Sequence, residues 1–114
     1  MIFIIEDDEI MAECVANAVA PIPTKIFSNG VDAVAALDEQ LPKLIFLDIL
    51  LDGPDGFTFL NELASYSDTN KIPIVIISSL DFSGQDLASY GVVGILDKTK
   101  MVPKEIKSYA QRFA

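Results

Sequence analysis

Five short runs of the chain are largely apolar: Met1 to Ile5, Thr24 to Phe27, Lys43 to Leu47, Ile72 to Ile77 and Val92 to Leu96. They are rich in Ile and Val and bounded by turn or charged residues, which predicts five strands. Three of the runs scarcely alternate between apolar and polar positions. That is the signature of strands covered on both faces, as in a parallel sheet with helices on each side.

Between the runs the period lengthens. Ile10, Met11, Cys14, Val15, Ala18 and Val19 recur at i, i+3 and i+4, as do Val31, Val34, Ala35 and Leu37, and both sets predict amphipathic helices. Phe57, Leu60 and Leu63 mark a third helix. Ile106, Tyr109, Ala110 and Phe113 mark a last one, with Pro103 suited to its first turn. Ser83 to Tyr90 is a short, weak helix candidate. Strand and helix alternate five times, so the expected fold is a doubly wound, three-layer α/β domain. Its crossovers should be right-handed and its five parallel strands ordered 2-1-3-4-5. No linker or repeat interrupts the pattern, and residues 1–114 are read as one domain.

Composition narrows the function. At 114 residues and 51% apolar content the chain is long enough to bury a core without disulfides or a structural metal. No apolar run reaches the roughly 20 residues of a membrane span, and the first five residues are too short for a signal-peptide core. A cytoplasmic location is the default expectation. Cys14 has no second cysteine to pair with and falls among apolar residues, so core packing is its expected role. The absence of histidine excludes Ser-His-Asp and Cys-His catalysis, imidazole zinc ligands and a phosphohistidine on this chain. A net charge of −9 disfavours direct nucleic-acid binding and points to proteins or cations.

In a doubly wound sheet a ligand site lies beyond the carboxyl ends of the strands, where strand order reverses. The first strand ends in Glu6-Asp7-Asp8-Glu9, the third in Asp48, the fourth in Ser78-Ser79 and the fifth in Asp97-Lys98. A run of acids after a strand is commonly just a solvated turn or a helix cap. Convergence argues for more, because adjacent first and third strands bring Glu6 and Asp7 close to Asp48. Three gathered carboxylates call for a divalent cation, and Mg2+ suits a site with few carboxylates and retained waters, with Mn2+ as a substitute. Lys98 adds positive charge. An aspartate so placed can attack a phosphoryl group and become an aspartyl phosphate. A hydroxyl at the end of the fourth strand, Ser78, could then hydrogen-bond the new phosphoryl oxygen and draw its loop inward.

At this point the sequence resembles the receiver domains of two-component response regulators, the CheY-like domains of flavodoxin-like fold, over nearly its whole length. Phe3 to Asp8 resembles the family's first strand and acidic pair, and Ser28 to Ala33 its turn into the second helix. Leu47 to Leu51 with Asp55-Gly56 is similar to the phosphoacceptor motif. Pro73 to Ser79 is similar to the fourth strand with its switch hydroxyl, and Gly91 to Lys98 to the fifth strand with its lysine. The resemblance implies Asp48 as phosphoacceptor, Ser78 as switch hydroxyl and Lys98 as the charge partner of the phosphoryl group. It implies Asp7, Asp48 and the Leu50 backbone carbonyl as direct metal ligands, Glu6 as a ligand through water, and Asp8 as a helix cap. Leu50, Ser79, Leu80 and Ile95 fall on positions that modulate the switch. The chain itself would then be no turnover enzyme. Its donor would be a histidine kinase or histidine phosphotransfer protein, and its output a change of contacts with an effector protein or fused output domain. Phosphorylation-dependent homodimerisation is a further option, and neither nucleic acid nor membrane is expected as a direct partner.

Several positions depart from the family pattern. Asp52 and Thr99 stand where proline is usual, after the acceptor turn and after the lysine, which is expected to alter those loops. Ile95 stands where an aromatic switch residue is usual, and the interval for the fourth helix is short. Leu50 and Leu80 flank water's approach to the phosphoryl group and should slow its hydrolysis, unless they only pack against a partner or a neighbouring loop. Two rival readings remain: a docking module that works without phosphorylation, favoured by Ile95 and Thr99, and a small phosphohydrolase using Asp48 as nucleophile, disfavoured by the lack of a substrate-binding insertion. A stand-alone regulator, or the receiver of a DNA-binding regulator or hybrid kinase, are all compatible with the sequence.

Overall fold

The computed structural model describes residues 1–49, 56–79 and 87–114. In chain order the elements are β1 (Ile2–Ile5), α1 (Glu9–Val19), β2 (Thr24–Phe27), α2 (Gly30–Leu37), β3 (Leu44–Asp48), α3 (Gly56–Ala64), β4 (Ile74–Ser78), a 3-10 turn (Ala88–Tyr90), β5 (Val92–Asp97) and α4 (Pro103–Phe113). The strands form one parallel sheet in the order β2-β1-β3-β4-β5, the order expected from the sequence. Every residue of β1, β3 and β4 is buried, which explains why those runs carry no polar face.

Successive residues of each central strand feed two different cores, because side chains alternate across a sheet. Phe3, Ile5, Ile45, Leu47 and Ile76 pack with Ala33 and Leu37 of α2 and with Phe59, Leu60 and Leu63 of α3. Ile2, Ile4, Phe46, Val75 and Ile77 pack on the other face with Ala12, Val15 and Val19 of α1 and with Ile106 and Ala110 of α4. The burial of each large side chain contributes about 1.5–3 kcal/mol, and this sandwich holds the sheet rigid beneath its carboxyl edge.

Local chemistry starts the helices where the chain leaves that edge. Asp8 accepts hydrogen bonds from the N–H groups of Ile10 and Met11 at 3.0 and 3.2 Å, so it caps α1 as expected. Asn29 caps α2 through the Asp32 N–H at 2.8 Å. Glu105 reaches back to the Val102 N–H at 3.1 Å, and Pro103 occupies the first position of α4.

Two expectations are corrected. The buried stripe of α1 is Ala12, Val15 and Val19, whereas Ile10 is 76% exposed and Cys14 is exposed, so Cys14 is not a core residue. At 100° per residue, Ile10 lies about half a turn and Cys14 about a third of a turn away from the middle of that stripe, and the apolar arc of this helix is broader than the face the sheet can cover. Likewise α2 buries Ala33 and Leu37 while Val31 stands 61% exposed. Of the weak helix candidate Ser83 to Tyr90, the described part is the 3-10 turn at Ala88–Tyr90, and residues 83–86 lie outside the described residues. No described helix is long and apolar enough to cross a membrane.

Candidate functional site at the carboxyl edge of the sheet

The reversal of strand order falls between β1 and β3, and the pairing register sets what meets there. Ile5 is level with Leu47, so the next residues, Glu6 and Asp48, stand side by side at the sheet's edge. Both carboxylates are buried, at 4% and 3% exposure, whereas Asp7 is exposed beside them. Oxygen atoms of Glu6, Asp7 and Asp48 all lie within 4.8 Å of one another. On the far side, Ile77 pairs with Asp48 and is followed by the buried Ser78, which pairs with Asp97. Ser79, one residue on, is exposed.

Lys98 crosses this gap. Its Nζ donates to Asp48 Oδ2 at 3.0 Å and lies 2.8 Å from Glu6 Oε1, while its backbone N–H donates to the Ser78 carbonyl at 3.2 Å. One cation therefore bridges two buried carboxylates at the carboxyl ends of β1 and β3, and is itself fixed to β4. Burial alone lowers the pKa of Lys98, but its hydrogen bonds to Glu6 and Asp48 outweigh that and carry it above the usual lysine value. Burial, reinforced by the Asp48 carboxylate and opposed by Lys98, pushes Glu6 up to about 8.

The donor set fits a hard divalent cation. All three groups offer carboxylate oxygens, and Glu6 Oε2 is buried with no hydrogen-bond partner among the described residues. A buried oxygen left in that state costs free energy until a cation or a cation-bound water meets it. A single lysine cannot neutralise three carboxylates.

The structure thus brings together Glu6, Asp7, Asp48, Ser78 and Lys98 at one edge. Leu50 and Leu80 lie outside the described residues. Ile95 sits on the edge strand β5, level with Ile76 and 42% exposed.

One feature of the site was missed in the sequence. Thr99, in the place where proline was the family norm, donates through both its N–H and its hydroxyl to Asp97 Oδ1, at 2.8 and 2.7 Å. The Lys98–Thr99 peptide is trans, the one cis bond among the described residues being Ala20–Pro21. The Asp-x-Thr spacing is itself a turn signal, and it was legible beside Lys98.

Comparison with known proteins fits this geometry. The response regulator receiver domain family matches residues 2–110. Over 112 residues the chain is 30% identical to a protein-glutamate methylesterase/protein-glutamine glutaminase of Geobacter metallireducens, covering 91% of this chain and 31% of that protein. The chain therefore spans about a third of that relative's length. Among solved structures, the receiver domain of NtrX from Brucella abortus superposes with a TM-score of 0.84 at 24% identity, over 98% of this chain and 96% of that one. The receiver domain of a signal transduction histidine kinase from Syntrophus aciditrophicus gives a TM-score of 0.83 at 25% identity, over 97% and 86%. A parallel sheet in the order 2-1-3-4-5, with buried carboxylates and a bridging lysine at its carboxyl edge, accordingly belongs to a two-component signalling protein: the chain is a member of the response regulator receiver domain family.

Proposed function

We propose that the chain, over residues 1–114, is a phosphorylation-dependent switch with Asp48 as its phosphoacceptor. The observation that carries this reading is the Lys98 ammonium, held 2.8 and 3.0 Å from the buried carboxylates of Glu6 and Asp48 with Asp7 beside them. An Asp48 oxygen attacks the phosphorus of a donor phosphohistidine on a histidine kinase or phosphotransfer protein. The new bond is O–P, the P–N bond breaks, and the donor imidazole leaves with the electron pair and takes up a proton.

Receiver domains bind Mg2+ in such an acidic pocket, and here Asp7, Asp48 and the Leu50 carbonyl would hold the ion directly and Glu6 through water, with Mn2+ able to substitute. The ion would neutralise charge on the transferring oxygens. Lys98 does the same from the other side, and its ammonium can exchange the Asp48 carboxylate for a phosphoryl oxygen without leaving Glu6. Ser78, buried at the end of β4 one residue past the Ile77 that pairs with Asp48, would offer the phosphoryl group a hydrogen bond from its hydroxyl and draw its loop inward. The output is a change of protein contacts, with an effector protein or a fused output domain. The phosphoryl group adds about −2 of charge at pH 7, enough to bias two conformers that differ by a few kcal/mol.

The test is intact mass after incubation with acetyl phosphate, with and without Mg2+, on the native chain and on Asp48→Asn. The expected result is one phosphoryl adduct that needs Mg2+ and is absent from Asp48→Asn. An adduct that survives in Asp48→Asn would place the acceptor elsewhere, and no adduct at all would leave a receiver fold used for docking alone.

A further inference from the structure

Helices α2 and α3 cover the same face of the sheet, and a furrow runs between them. Its main cavity, about 310 Å3, has a floor of Val34, Leu37 and Leu63 and a wall formed by Tyr66, which is 57% exposed. A smaller hollow of about 90 Å3 shares Val34 and Glu62 with it and extends to Val31, itself 61% exposed. Along α2, Val31 is exposed and Val34 half-buried, while Ala33 and Leu37 are buried beneath them, so the apolar side chains that meet water lie at the furrow's rim. The charged groups lining the furrow are Asp38, Glu62 and Asp68. None of the three makes an ion pair or a side-chain hydrogen bond among the described residues, and no described lysine or arginine lines either hollow.

This combination selects its occupant. An apolar floor accepts aliphatic carbon, and three unpaired carboxylates around it favour a cation over a neutral or anionic group. Lysine and arginine combine the two, laying a hydrocarbon stem on apolar surface with the charged head in water, and Tyr66 offers a ring face to a guanidinium. The cavity stands at the lower limit of small-molecule pockets and suits one or two side chains of a longer segment. A second copy of this chain, also at −9, is repelled at long range, which leaves a basic protein as the better match.

We propose that the α2–α3 furrow is a docking groove for a basic amphipathic segment of a partner protein, seating an arginine or lysine beside an apolar residue against Leu37, Leu63 and Tyr66. The main cavity lies near the C-terminal ends of α2 and α3, where the chain returns to the amino edge of the sheet. That is the edge opposite Asp48, so a partner seated there leaves the phosphorylation site open. Docking is then separable from phosphoryl transfer.

The experiment is a nuclear magnetic resonance titration of the isotope-labelled chain with a synthetic helical peptide carrying Leu and Arg at four-residue spacing. Its control is the same peptide with Glu for every Arg. Saturable shifts should be confined to α2, α3 and Tyr66, and the control peptide should give none. Glu62→Lys, at an exposed position, should weaken binding tenfold or more. Binding should persist in Asp48→Asn, which separates failure of docking from failure of the phosphoacceptor reading. The proposal is overturned if the shifts gather on Asp7 to Glu9, if Glu62→Lys binds as the native chain does, or if no saturable shift occurs. It is overturned equally if sedimentation shows the native chain self-associating and Glu62→Lys dissociating it, since the occupant would then be a second copy.

Discussion

At the scale of single residues, the site depends on how a long, flexible lysine is held still. Lys98 follows the last residue of β5, and its own backbone N–H is tied to the Ser78 carbonyl. The residue after it is fixed by the two hydrogen bonds from Thr99 to Asp97 Oδ1. A proline at 99 would constrain the chain covalently; the threonine does it with a turn that only a residue with a free N–H and a hydroxyl can make. The turn has an electrostatic signature. The Thr99 hydroxyl, and after it the Thr99 N–H, hold the Asp97 carboxyl below its ordinary value. A depressed acid contributes stability that is present at neutral pH and is lost as pH falls through its folded value. Thr99→Val deletes the hydroxyl and keeps the N–H, so the Asp97 titration should move upward. Thr99→Pro deletes both donors and should move it further. Carboxyl carbon shifts followed across pH read both changes, and an unchanged Asp97 titration in Thr99→Val would show that the hydroxyl does not hold this turn.

At the scale of elements, β5 and α4 meet through a contact that depends on a missing side chain. The Tyr109 ring and hydroxyl occupy the space where a Cβ on Gly94 would stand. Gly94→Ala should therefore displace Tyr109 from the edge strand and cost about 1–3 kcal/mol, as overpacking does. In a Tyr109→Ala background the same change should cost little, and a double-mutant cycle in urea measures the difference. Equal costs in both backgrounds would mean that the strand, not the tyrosine, resists the methyl group. The contact also marks where sequence patterns lose resolution. β1, β3 and β4 were legible because continuous apolar runs have few other uses, and the strand ends placed Glu6, Asp7, Asp48, Ser78 and Lys98 at one edge. The rotation of α1 was not legible. Ile10 and Cys14 share its apolar period with Val15, and only the width of the sheet beneath decides which arc is covered. The α2–α3 furrow depends on the spacing of two helices, and the pairing of Lys98 with Glu6 depends on side-chain reach; neither is a property of any one segment.

At the scale of the whole molecule, a chain of net charge −9 buries two carboxylates at its active edge and offers them one lysine, so the ion-free fold works against itself there. Glu6 expresses that conflict, with its folded pKa at about 8 against an ordinary 4.5. Between those values the folded chain holds a proton that the unfolded chain has released. The free energy of unfolding must then fall as pH rises through the window, and the contribution is fully present only below it. A divalent cation acts in the opposite sense, because it binds the ionised carboxylates and expels the Glu6 proton. Stabilisation by Mg2+ should consequently grow between pH 6 and pH 8.5. At a concentration one hundred times the dissociation constant the gain is about 2.7 kcal/mol, or roughly 10 °C or more in Tm for a domain of this size. Thermal unfolding at both pH values, with Mg2+ and with a chelator, tests the claim. Glu6→Gln should flatten the pH dependence in the chelated protein, because it removes the titrating group while keeping its shape. A Mg2+ effect of the same size at both pH values would mean that Glu6 keeps no proton in the folded chain, and that Lys98 alone already balances the buried pair.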